Sequence, residues 1–131
     1  MKFMLMQDYG GVPKDTPPMS EWTPEEIDAH ITYQKDLNAE LAERGEFVDA
    51  QGLTAPELAK FVVSDGSGPP VVTDGPFPES KELLAGYRMI DVESVERAIE
   101  IAARGSAAPG PGGRPIKQVI EVREVMGPIG H

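Results

Sequence analysis

An α+β domain built on one largely antiparallel sheet is the fold class this sequence predicts, and three observations predict it. Short runs rich in apolar and β-branched residues recur along the chain. Two longer segments carry helical spacing and helix-start residues. The segments follow one another as strand, helix, three strands with a further hairpin strand among them, helix, strand. A length of 131 residues with 40% hydrophobic content suits one core.

Lys2 to Asp8 reads as the first strand, with Phe3 and Leu5 on one face and Met4 and Met6 on the other. Gly10 to Trp22, carrying Gly10, Gly11, Pro13, Pro17 and Pro18, is a long irregular loop. Thr23-Pro24-Glu25-Glu26 supplies an N-cap, a proline at the first helical position and a capping-box glutamate. Ile27, Ile31, Gln34, Leu37 or Asn38, and Leu41 follow at helical spacing, and Gly45 after Arg44 is the expected stop. Glu46 to Ala50 and Ala59 to Ser64 are short strands. The second ends in the turn Asp65-Gly66-Ser67-Gly68, from which Pro70 to Thr73 returns. Asp74-Gly75-Pro76 makes a tight turn, because Pro76 fixes its own φ and Gly75 tolerates unusual backbone angles. Leu83 to Val92 is then a long strand. Ser94 caps a second helix with Val95, Ala98, Ile99 and Ala102 as its stripe, ended by Gly105. Gly105 to Pro115 is a loop by its density of breakers, Ile116 to Val125 the last strand, and residues 127–131 a flexible tail after a single domain spanning 1–126.

This order describes a ferredoxin-like β-α-β-β-β-α-β subunit with an extra hairpin strand. Right-handed crossovers put both helices on one sheet face. Met4 with Met6 and Ile120 with Val122 then place apolar groups on both sides of the sheet, more than an exposed face should carry. The expected solution is a homodimer, two sheets packed face to face into a dimeric α+β barrel.

Composition narrows the partners. Twenty-two acidic against 12 basic residues give a formal charge of −10, which repels phosphate backbones and anionic lipid, so neither nucleic acid nor membrane is expected. The absence of cysteine removes thiol nucleophiles, thiolate metal sites and disulfides, and makes the cytoplasm the expected compartment. The apolar start is too short for a signal-peptide core. Two histidines make a zinc site unexpected, and Gly110 to Gly113 precedes a strand, not the helix N-terminus a phosphate cradle needs, so no cofactor is expected.

The run Val72-Thr73-Asp74-Gly75-Pro76-Phe77-Pro78-Glu79-Ser80-Lys81-Glu82, followed by Gly86-Tyr87, Ile90-Asp91-Val92, Ala98, Ala102-Ala103-Arg104 and Ile120-Glu121-Val122-Arg123, resembles the DGPF-domain branch of the YCII-related proteins over most of the chain. The resemblance implies a dimeric α+β barrel. It also implies kinship with small enzymes similar to a dehydrochlorinase of aromatic catabolism, which use a His-Asp pair, and an association of the DGPF branch with sigma-factor-like regulators.

His30, beside the apolar stripe of the first helix, is the residue to act as general acid or base, and by analogy to the wider group Asp49 is its partner. The alternative is a histidine that merely hydrogen-bonds a backbone carbonyl. Asp74, Glu79, Lys81 and Glu82 could converge with Arg123 on a ligand, or form local pairs around a turn that Phe77 plugs. Arg88 shares a strand face with Gly86, Ile90 and Val92, so its charge is drawn inward and needs an anion, either a local acid or a ligand. Three classes follow: a lyase- or hydrolase-like enzyme on a small molecule, a non-catalytic ligand-binding or regulatory module, and a purely structural dimerisation domain.

Overall fold

The computed structural model describes residues 1–75 and 83–130. Strand β1 (Lys2–Asp8) leads through an irregular segment with a short 3-10 turn at Met19–Glu21 into helix α1 (Pro24–Glu43). Strands β2 (Phe47–Gly52), β3 (Lys60–Val63), β4 (Val71–Asp74) and β5 (Leu84–Asp91) follow, then helix α2 (Val95–Ser106) and strand β6 (Ile120–Glu124). The start of α1 is set locally: Thr23 Oγ1 accepts from the Glu26 amide at 3.1 Å while Glu26 Oε1 accepts from the Thr23 amide at 2.9 Å. Gly45, at φ 73°, takes the left-handed conformation that stops the helix.

The main sheet has the order β2-β5-β1-β6 with every neighbour antiparallel, an α+β arrangement compatible with a ferredoxin-like fold. Phe3, Leu5, Ile90 and Val92 from the sheet meet Leu37 and Leu41 of α1 and Ala98, Ile101 and Ala102 of α2 in one core. Both helices therefore cover the same sheet face. The opposite face carries Met4, Met6 and Met89, with Met4 directly opposite Met89 across the ladder.

Four details depart from the sequence reading. The hairpin β3–β4 is a separate two-stranded sheet, not an extension of the main one. The buried side of α1 runs through Leu37 and Leu41, with Ile31 left 42% exposed. In α2 it is Ala98, Ile101, Ala102 and Gly105, so Gly105 lies inside the helix and does not end it, while Val95 and Ile99 face outward. The last strand starts at Ile120, because Lys117 at φ 57° interrupts extension and Gln118 turns its amide back to the Asp8 carbonyl at 3.1 Å.

Candidate functional site

A cleft of about 220 Å³ opens between α1 and the sheet where β2, β5 and β1 run side by side. Helix α1 supplies His30, Gln34 and Asn38, which recur every four residues and so stand above one another on one helix side. The sheet supplies Gln7, Gly52, Gly86 and Arg88. The cleft exists because Gly86 pairs with Gly52 on one side and Gln7 on the other, leaving two adjacent positions without side chains. The approach is close: a Cβ on Gly86 would stand 2.9 Å from the Gln51 carbonyl oxygen.

Arg88 reaches the cleft from the buried side of β5 and is only 7% exposed. Its Nε donates to Asn38 Oδ1 at 2.7 Å and its Nη2 to Gln34 Oε1 at 2.6 Å. Gly105 makes room for it from α2, since a Cβ there would lie 3.3 Å from Nη1. Among the described residues Arg88 forms no ion pair, and the groups that meet it there are two neutral amides rather than the local acid that was one of its two expected partners. Burial, aided by the nearby charge of Arg104, pulls its pKa below the usual guanidinium value against the opposing influence of Tyr33.

His30 sits in the second turn of α1. Its Nδ1 lies 2.9 Å from the Pro109 carbonyl oxygen, and because a carbonyl only accepts, Nδ1 must carry the proton of the neutral ring. Nε2 is then the acceptor nitrogen, and the Gln34 amide nitrogen donates to it at 3.5 Å. Gln34 thus stands between Arg88 and His30, its oxygen turned to one and its nitrogen to the other. Trp22 meets the imidazole edge-on, with centroids 5.6 Å apart and planes at 77°. The loop that presents Pro109 is itself held. Pro109 and Pro115 form an isolated bridge, and the Gly112 amide donates to Glu26 Oε2 at 2.6 Å. Those bonds, Gly112 first and then Thr23, hold the Glu26 carboxyl below its usual range.

Asp49 is not brought to His30. A β-bulge between Phe47 and Asp49 shifts the register, so Phe47 pairs with Ile90 on the core side but Asp49 pairs with Met89 on the opposite face. Without the bulge Asp49 would have shared the side of Phe47. It instead accepts from Tyr87 Oη at 2.9 Å and from Gln51 Nε2 at 3.0 Å, and the bond that Tyr87 donates to Asp49 pushes the phenol pKa upward. Of the Asp74 cluster, only Asp74 and Arg123 lie among the described residues. Asp74 ends β4 and binds Lys60 at 2.5 Å, closing the base of the exposed hairpin. Arg123 lies opposite Met4 with its Nε 3.9 Å from Glu121. Glu79, Lys81 and Glu82, like Phe77, lie outside the described residues. Among the described residues no group of three or more His, Asp or Glu side chains is placed to hold a metal ion. No described helix is long and apolar enough to cross a membrane.

Residues 1–126 match the family model of the YCII-related domain, which covers nearly the whole chain. The chain belongs to the YCII-related family. This YCII-related chain is also 30% identical over 83 residues to an uncharacterized protein of Rhizobium meliloti (strain 1021), an alignment covering 63% of this chain and 66%, just under two thirds, of that one.

Of the cleft residues, the sequence pointed to His30 and Arg88 but not to Gln34, Asn38, Gly86 or the Pro109 carbonyl. The signal for Gln34 and Asn38 was present: polar amides at positions of the α1 repeat where a purely structural helix carries leucine or isoleucine.

Proposed function

We propose that this protein, as a member of the DGPF branch, binds a small organic molecule in the α1–sheet cleft and moves a proton at it through Nε2 of His30, in a lyase-like reaction. The observation that carries this reading is the bond from His30 Nδ1 to the Pro109 carbonyl, which leaves the basic nitrogen on the side of Gln34, a residue of the cleft. A backbone carbonyl here supplies the orientation that an aspartate gives in a His-Asp pair, so the reading does not need Asp49. Trp22 on the ring edge and the anchored Pro109 loop limit how far the imidazole can swing.

The experiment is solvent exchange. The chain is incubated in D2O with a panel of small keto and hydroxy acids, and deuterium uptake at carbon is followed by mass spectrometry and proton NMR. The expected result is catalysed exchange at one C–H, falling about 10²- to 10⁴-fold in His30→Gln, the usual worth of a positioned acid or base. Equal exchange in the variant would end the reading. Binding without any exchange would favour the second reading, a non-catalytic ligand-binding or regulatory module, which draws its support from the Arg88–Gln34–Asn38 network, a set of groups that can hold a ligand without transforming it.

The working unit in this proposal is a homodimer, joined through the sheet face that the helices leave open. Met4, Met6 and Met89 form the middle of that face, while Asp49, Glu121 and Arg123 bring both signs of charge to its margin. The hairpin adds Phe61, Val62, Val63, Val71 and Val72, all exposed on a two-stranded unit that is marginal in water by itself.

A further inference from the structure

We infer that the cleft selects a carboxylate: the carboxylate group of a small, planar organic acid lies against Arg88. This rests on the cleft being a ligand site, and it adds the chemical class of the ligand.

The first support is electrostatic. A guanidinium that is 7% exposed has lost most of its water, and Asn38 and Gln34 compensate its donors without compensating its charge. Those two bonds use Nε and one N–H of Nη2. The donors of Nη1 have no partner among the described residues, although each buried side-chain nitrogen or oxygen described does have one, so Nη1 keeps solvent access. The second support is the lining. In a chain with 22 acidic residues, no Asp or Glu among the described residues lines the cleft. A site left without acids around its one buried cation attracts an anion from solution.

Shape and size narrow the class. The planar guanidinium fork matches the two oxygens of a carboxylate. A tetrahedral phosphate dianion calls for several converging donors or cations, and among the described residues Arg88 is the single Lys or Arg in the lining. About 220 Å³ falls below the roughly 300–1,000 Å³ of ordinary ligand pockets, so the acid is one of a few carbons or a single ring. Gln34 sets the spacing. One carboxamide spans the interval from Arg88 Nη2 to His30 Nε2, so an acid held at Arg88 presents the carbon one or two bonds from its carboxylate to the imidazole.

Isothermal titration of the full chain at neutral pH and low salt tests this with four probes: pyruvate, benzoate, the uncharged benzamide, and inorganic phosphate. The expected result is that benzoate or pyruvate binds, that benzoate binds at least about 10-fold more tightly than benzamide, and that phosphate binds more weakly than either acid. That factor corresponds to about 1.4 kcal/mol. Arg88→Lys keeps the charge but loses the fork and should weaken the carboxylate about 10-fold or more, with folding checked by circular dichroism. Benzamide equal to benzoate, phosphate preferred, none of the four binding, or unchanged affinity in a folded Arg88→Lys would each overturn the inference. The benzoate–benzamide comparison needs no variant, so it stands even where the substitution unfolds the chain. Arg88-dependent carboxylate binding with no deuterium exchange upholds this inference while ending the proton-transfer reading. Exchange catalysed equally on acids and their amides does the reverse.

Discussion

Arg97 grips Glu46 through two parallel bonds, Nε to Oε2 and Nη2 to Oε1, each 2.9 Å, and both side chains are more than four-fifths covered. Glu46 also receives Arg44 Nε at 3.0 Å. The bonds from Arg97 lead in holding the Glu46 carboxyl below its usual value. A carboxyl depressed in the folded state contributes stability that is present above its unfolded pKa, about 4.3, and is lost as pH falls through the folded value. Glu46→Gln should therefore cost about 1 to 2 kcal/mol at pH 7, a fork-to-carboxylate pair being worth more than a neutral hydrogen bond. The gap from the parent chain should narrow as the pH falls below about 4 toward the folded value. Urea unfolding at the two pH values measures this, and a gap of equal size at both would contradict it. At this same scale the sequence was readable where the chemistry is local and opaque where it is not. The Thr23 and Ser94 caps could be named from neighbouring residues alone, since their bonds span three positions. Nothing near His30 in sequence announces Pro109, which lies 79 residues away.

Strand β5 shows what an element adds beyond its residues. Its alternation puts Gly86, Arg88 and Ile90 on one side, giving the cleft a bare position, a charge and a core anchor in succession. The sequence shows that alternation plainly, because a strand repeats every two residues. It does not show a bulge. One extra residue in β2 sent Asp49 to the far side of the sheet, and parity read along the strand had no means of detecting it. The α1 stripe was misplaced at Ile31, which is apolar but exposed, while Gln34 and Asn38, which the helical spacing did put on the stripe, turn inward to serve Arg88. Gly86→Ala tests the element's role. The added methyl would press on the Gln51 backbone oxygen, which cannot rotate away, so the strands must separate. We expect a loss of about 1 to 3 kcal/mol in chemical denaturation, the range for overpacking, together with weaker ligand binding as the cleft narrows. A variant as stable as the parent, with full affinity, would show that the close approach of β2 to β5 matters to neither.

For the whole molecule the open question is what covers the sheet face opposite the helices. The hydrophobic effect acts on Met4, Met6 and Met89 as it does on the core, yet among the described residues no helix of the same chain lies over them. Three thioethers close together on a pleated surface form an adaptable contact, and they are half-buried already by their own cross-strand neighbours. In the proposed homodimer a second copy related by a two-fold axis would supply the same apolar centre in return, and a margin bearing Asp49, Glu121 and Arg123 would let opposite charges meet at the edge while the centre stays dry. Sedimentation equilibrium at micromolar concentration should accordingly give twice the chain's mass. Met89→Lys should shift it toward the single-chain mass, because it places an unpaired ammonium in the middle of the contact. The same substitution should leave the circular dichroism spectrum of the chain intact, since Met89 points away from the core that both helices share with Phe3, Leu5 and Ile90. A parent chain that sediments as a monomer would remove the dimer, and a Met89→Lys dimer of unchanged strength would move the contact off this face, toward the exposed valines of the β3–β4 hairpin.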